Sequence, residues 1–246
     1  MKKNVLFFVL AFGLLVLVFG QDVSNFEYGI TNGTITIRGY WGSETEIRIP
    51  AVINGMRVTT IGLDAFDRKQ LTSVAIPNTV TTIGVNAFCR NQLTNVTIPD
   101  SVQTIRAGAF GGNQLNSVII PNSVTSIGED AFGINRLTNV IIGNGIKTVE
   151  ARMFWVNHLS SVTIPSSVTT IGDSAFAYNQ LISITIGANV NIASSAFNDG
   201  TPFYEDGLLR IRNTRISGFE IAYNNGGKLE GTYKRLNTNS TTWTRQ

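Results

Sequence analysis

The chain has 246 residues, one histidine, one cysteine and a formal charge of +3. One cysteine forbids an intrachain disulfide, and a single His with a single Cys leaves no His/Cys set at metal-ligand spacing. No phosphate-cradling or dinucleotide fingerprint occurs either, so no cofactor is expected.

The first 20 residues differ from everything that follows. Lys2 and Lys3 precede an apolar run over 5–19, with Val18 and Gly20 at −3 and −1 from Gln21. This pattern is a secretory signal cleaved before Gln21. The run is shorter than the ~20 residues of a membrane span, so the expected mature chain carries no span. Removing it leaves 17 basic and 16 acidic side chains. Exported and near neutral, such a chain is not expected to bind nucleic acid.

Residues 21–43 are expected to form a β-hairpin cap. Phe26, Tyr28 and Ile30 alternate into Asn32-Gly33, and Ile35 and Ile37 alternate out. Asn-Gly between alternating runs is a strong hairpin signal.

A fixed period then begins. Phe66, Phe88, Phe110, Phe132, Phe154 and Phe176 recur every 22 residues, and Phe197 follows after 21. Leu71, Leu93, Leu115, Leu137, Leu159 and Leu181 keep the same step. A period in the twenties marks a solenoid of stacked units that fold only against their neighbours. Residues 44–201 hold seven such units, the first with a five-residue insertion after Pro50. In the unit at 71–92, Leu71, Val74, Ile76, Val80, Ile83, Ala87 and Phe88 are the inward positions. Val74 and Ile76 have strand spacing, and Pro77 ends the strand. A second short extended piece runs to Gly84, and Asn86-Ala87-Phe88 is expected to make one helical or 3₁₀ turn that drops the ring inward. Arg106 and Glu150 stand where other units have Gly84, so that position prefers glycine without requiring a left-handed backbone. Phe132 lies mid-stack and Phe66 near an end, so truncation is expected to cost more at Phe132.

The string L-x-x-V-x-I-P-x-x-V-x-x-I-G-x-x-A-F resembles the BspA-like class of bacterial leucine-rich repeats over 44–201. The resemblance implies an α/β repeat: a right-handed leucine-rich repeat solenoid of 22-residue units, with parallel strands, short helical or 3₁₀ turns and β-type caps. It also implies a cell-surface or secreted protein of a host-associated microbe, several relatives being adhesins. Many family repeats run to 23 residues with Cys near the coil end. Here Asn91, Asn113, Asn135, Asn157 and Asn179 occupy that region.

Residues 202–246 are expected to form a C-terminal cap and basic tail. Phe219, Ile221 and Tyr223 alternate as in a strand. The stretch AYNNGGKLEGTYKR, with a late Thr-Trp-Thr, resembles C-terminal segments of spirochaete members. Seven basic side chains against two acidic ones over 207–246 include Arg210, Arg212, Arg215, Lys234, Arg235 and Arg245. They face either a polyanion or plain solvent.

No catalytic group is expected. His158 holds the position of Gln92 and Gln114 in other units, a surface turn. Glu129, Asp130, Glu150 and Asp173 scatter along a solvent face. Candidate partner-binding residues fall on two faces. The outward strand positions, Thr97 and Thr163 among them, make a ladder of small polar groups with an apolar stripe at Ile119 and Ile141. On the opposite side, Trp155 and Tyr178 stand where other units have Gly or Arg. The expected function is non-enzymatic binding of protein or glycan macromolecules, host extracellular matrix among them, in adhesion. A structural role inside the cell's own envelope or periplasm is the alternative.

Overall fold

The computed structural model describes residues 22–205, 208–215, 219–235, 240 and 242–246. The leader proposed at 1–20 lies outside the described residues.

The repeats stack as a parallel β-solenoid of about seven turns. Each coil contributes to three columns, because its inward residues occur in three clusters. The first column takes the L-x-x-V-x-I segments: Glu46–Arg48 pairs with Ser73–Ala75, Ser117–Ile120 with Asn139–Ile142, and Ser161–Thr163 with Ser183–Ile186, all parallel. Partners sit one repeat apart, as Val140 on Val118. The second column takes the V-x-x-I segments, with Thr82–Ile83 between Met56–Ile61 and Thr104–Ile105. β-Branched side chains at period two favour both ladders.

The third column carries the phenylalanines. Rings from Phe66 to Phe176 stack nearly parallel, with centroids 5.1 to 5.8 Å apart. The Asn86-Ala87-Phe88 segment is not a helix. Asn86 and Arg90 have φ of 51° and 53°. The left-handed residues flatten the coil, so that the N–H groups of Asn86, Phe88 and Arg90 point along the stack to the carbonyls of Ala107, Ala109 and Gly111, at 2.8 to 2.9 Å. A helix would spend those donors inside its own unit. Gly84 has no positive φ. A Cβ there would lie 2.6 Å from the backbone of Gly62, so the preference for glycine reflects a close approach of coils.

Between the Phe and Leu clusters runs a buried asparagine column. Asn135 Nδ2 donates to Phe110 O and Phe132 O at 3.0 and 3.1 Å, and its Oδ1 accepts from Leu115 N at 3.1 Å. Asn91, Asn113, Asn157 and Asn179 do the same in their own units. Each amide ties two coils together and satisfies groups that burial would otherwise strand.

The two ends differ. At the N-terminus, β1 (Phe26–Thr31) and β2 (Thr34–Tyr40) form a hairpin through Asn32 and Gly33, both left-handed, and β2 continues the second column by pairing with Met56–Ile61. Phe26 and Tyr40 lie over Phe66, with centroids 6.3 and 5.9 Å away. Phe66 is therefore as buried as Phe132, contrary to the expectation for an end position. The insertion after Pro50 forms a small antiparallel ribbon, Val52 on Arg57, turning at Asn54-Gly55.

At the C-terminus, Asp199–Glu205 and Leu208–Arg215 form a hairpin. The next segment departs from the alternation expected at 219–223: Phe219–Asn225 is an α-helix. Phe219 and Tyr223 are four residues apart, a spacing common to one strand face and one helix face. As a helix, they bring two buried rings onto the end of the stack, and Phe219 meets Phe197 edge-on at 4.8 Å. Gly231–Lys234 then pairs antiparallel with Ser183–Ile186 and closes the first column. Arg235 is not an open basic group. It is buried, its Nε donates to Leu181 O at 2.6 Å, and its guanidinium lies 5.0 Å from the Trp243 ring centre.

Candidate functional site

The first column turns Leu, Val and Ile inward and leaves the alternate side chains outside. Strand pairing in register therefore lines up equivalent outward residues. Ile141 sits directly beside Ile119, at 52% and 60% exposure. Asn116, Ser117, Thr138 and Asn139 surround them with small exposed polar groups. Thr163 is exposed and pairs with Thr185, whose hydroxyl is 2.9 Å from that of Thr232. Thr97 is exposed in a coil segment that makes no regular strand.

Trp155 and Tyr178 come together on the turn column, edge to face at 6.1 Å. Both are half-buried, and burial pushes the Tyr178 phenol above its ordinary pKa. The two faces are thus separate: the isoleucines belong to the strand ladder, the aromatics to the turns.

Charged groups on the turn column pair across units. Arg152 Nε lies 3.0 Å from both Asp130 carboxylate oxygens, and its Nη2 lies 3.0 Å from Glu129 Oε2. His158 is exposed on its turn. Burial, helped by the nearby Asp67 carboxylate, pushes the Cys89 thiol up, so it is protonated and weakly nucleophilic at neutral pH. Among the described residues no three His, Cys, Asp or Glu side chains group as a metal site, and no helix is long and apolar enough to cross a membrane.

The asparagine column was not legible as a buried element, because a polar residue beside a turn looks solvated. Its signal was invariance: Asn holds all five positions 91 to 179, whereas the next position varies among Gln, Arg and His.

Solved structures share this architecture. A leucine rich cell surface protein from Faecalibacterium prausnitzii A2-165 is 27% identical, with a TM-score of 0.52 over 77% of this chain and 57% of that one. The leucine rich repeat protein of T. pallidum is 26% identical, with a TM-score of 0.49 over 64% of this chain and 87% of that one. The pneumococcal vaccine antigen PcpA is 18% identical, with a TM-score of 0.53 over 76% of this chain and 52% of that one, a likeness of fold alone. The chain thus spans little more than half of the first of these proteins. No curated protein matches it. The BspA type leucine rich repeat region matches residues 81–203 in six copies. With half its length in that repeat, the chain belongs to the BspA-type leucine-rich repeat family.

Proposed function

We propose that the protein is a non-enzymatic, exported binding protein that holds macromolecular partners along the outward face of its strand ladder, in adhesion to host or microbial surfaces. The observation that carries this reading is the register of Ile119 and Ile141: two large apolar side chains side by side, open to solvent, within a row of small polar groups. Exposed apolar groups rimmed by polar ones mark interaction surfaces, and a rigid ladder presents them at no ordering cost to the protein. Membership in a leucine-rich repeat family fits a protein-interaction role. The name of the Faecalibacterium relative supports a surface location, and the Lys-Lys-apolar leader supports export. The solitary exposed His158 and the pairing of Asp130 with Arg152 support a role without catalysis.

The test is protease treatment of intact cells, followed by binding of the purified protein to an immobilised host matrix coat. Loss of the protein from intact cells, with saturable matrix binding, is the expected result. Protection until the outer envelope is opened would favour the envelope or periplasmic role instead.

A further inference from the structure

The turn column is interrupted by a groove of 310 Å³ that runs from Asn86 and Arg90 to Trp155. Its origin is local. Gly111 and Gly133 stand where neighbouring units place Cys89 and Trp155, and Gly108 and Gly112 stand where they place Asn86 and Arg90. The backbone does not demand these glycines. Gly108 and Gly112 are left-handed, at φ 65° and 67°, but Asn86, Arg90 and Ile134 hold the same conformation in the adjoining coils. One coil has thus lost three turn side chains, at 108, 111 and 112, and the next has lost one, at 133, while keeping Asp130 and Ile134. A trough remains between one polar wall and one aromatic wall.

The walls carry recognisable chemistry. At one end the Asn86 amide oxygen occupies the space that a Cβ on residue 108 would need, so the amide overhangs the floor. Arg90, from the same coil, also lines the groove. Neither the Asn86 amide nor the Arg90 guanidinium has a side-chain hydrogen-bond or ion-pair partner among the described residues. Asp130, in contrast, pairs with Arg152 along the side, and Glu129 is the second carboxylate on that guanidinium. Arg90 is thus the one charged side chain lining the groove that has no ion-pair partner among the described residues, and Asn86 of the same coil adds an uncommitted amide. At the other end Ile134 and Trp155 offer an apolar surface. The two ends lie three repeats apart, ~14 Å at strand spacing.

The floor excludes one kind of ligand. The N–H groups that could face an incoming strand are already spent: Arg90 N on Gly111 O at 2.9 Å, Gly112 N on Gly133 O at 3.0 Å and Ile134 N on Trp155 O at 2.8 Å. A peptide laid here finds no free main-chain donor of the kind that strand addition uses. A flat ring suits a glycine floor and an indole, and a guanidinium binds a carboxylate through planar, charge-assisted hydrogen bonds, to which the Asn86 Nδ2, and not its oxygen, can add a donor. We propose that this groove binds a carboxylate-bearing oligosaccharide, its acid group on the Arg90 guanidinium with Asn86 Nδ2 as an added donor, and a sugar ring against Trp155. The site is independent of the strand-ladder reading, since neither Ile119 nor Ile141 enters it.

Cys89 lines the groove and is the chain's only cysteine, so its rate of labelling by a thiol reagent reports occupancy. Sialyllactose, digalacturonate or both are expected to slow labelling saturably, with half-effect at roughly 1 mM or below. Lactose, which lacks the acid, is expected to leave the rate unchanged. Arg90→Gln should weaken protection by ~10-fold or more, the loss of a hydrogen bond to a charged group. Gly133→Trp repeats in one coil the residue that the next coil already accommodates, and it should abolish protection by filling the trough. Each variant is compared with its own ligand-free rate, and its melting curve verifies folding. The double variant Ile119→Asp/Ile141→Asp should keep full protection, which separates this site from the strand ladder. Protection by neither acid, equal protection by lactose, protection by a tetra-aspartate peptide alone, or protection that survives both groove substitutions would overturn the proposal.

Discussion

Asn135 does at one residue what the whole chain does at every scale: it joins a coil to the next. Its amide satisfies two phenylalanine carbonyls and one leucine N–H, all buried. Asn135→Ala removes those partners. Stranding buried backbone groups costs ~1–3 kcal/mol apiece, so denaturant unfolding should show a loss of at least ~2 kcal/mol. Gln92→Ala, at the exposed position that follows Asn91 in its unit, should change stability by less than ~0.5 kcal/mol. Equal effects at the two sites would mean that the column is not buried in solution. Cys89 gives a second check. Because its thiol pKa is raised by burial and by Asp67, the thiolate fraction at neutral pH is below that of a free cysteine. Labelling should be slow there and still climbing at a pH where an ordinary thiol has levelled off. Fast labelling at neutral pH would contradict the half-buried placement. At this scale the sequence showed which residues turn inward when they are apolar. It hid the left-handed positions, because Asp64, Asn86, Ile134 and Val156 share one backbone conformation but no common chemistry.

Elements were legible where one spacing had one meaning. The 22-residue step of phenylalanine and leucine admits only stacking, and the rings do stack. The spacing of Phe219 and Tyr223 has two meanings, and the helix followed because it delivers both rings to the open end of the core. Phe66 shows how a cap changes the energetics of an end coil. With Phe26 and Tyr40 over it, Phe66 has the same full burial as Phe132. Phe132→Ala and Phe66→Ala should each cost ~3–5 kcal/mol in equilibrium unfolding. A clearly smaller loss at Phe66 would show that the hairpin does not hold its place over the first coil. Removing the hairpin should uncover Phe66 and the edge at Ile61, which β2 covers through the Ile37 register.

Over the whole molecule, repetition converts one local pattern into two long and different faces. The strand face repeats small polar groups and breaks the pattern at Ile119 and Ile141. The turn face repeats left-handed bends and breaks the pattern at the glycines and at Trp155. Both interruptions were visible as departures from the repeat, and each could be assigned to its face from sequence, but the groove could not. An outward strand position follows from alternation, whereas the groove depends on which turn residues share a column. The C-terminal region contributes closure as well as charge, since Arg235 is spent on Leu181 and Trp243. Binding should therefore reside in 44–201 rather than in the basic residues that follow. Charge on such residues is screened over about 8 Å at physiological salt, whereas the ladder can engage an extended partner along its length.

The most direct test compares the purified protein with two variants for binding to an immobilised host matrix coat. Ile119→Asp/Ile141→Asp alters only exposed positions, so the fold should survive, with the melting temperature lowered only by the repulsion of two like charges side by side. The account predicts that this variant loses binding while simultaneous neutralisation of Arg210, Arg212 and Arg215 leaves it intact. Full binding by the folded isoleucine variant, or loss of binding on removing the three arginines alone, would contradict it.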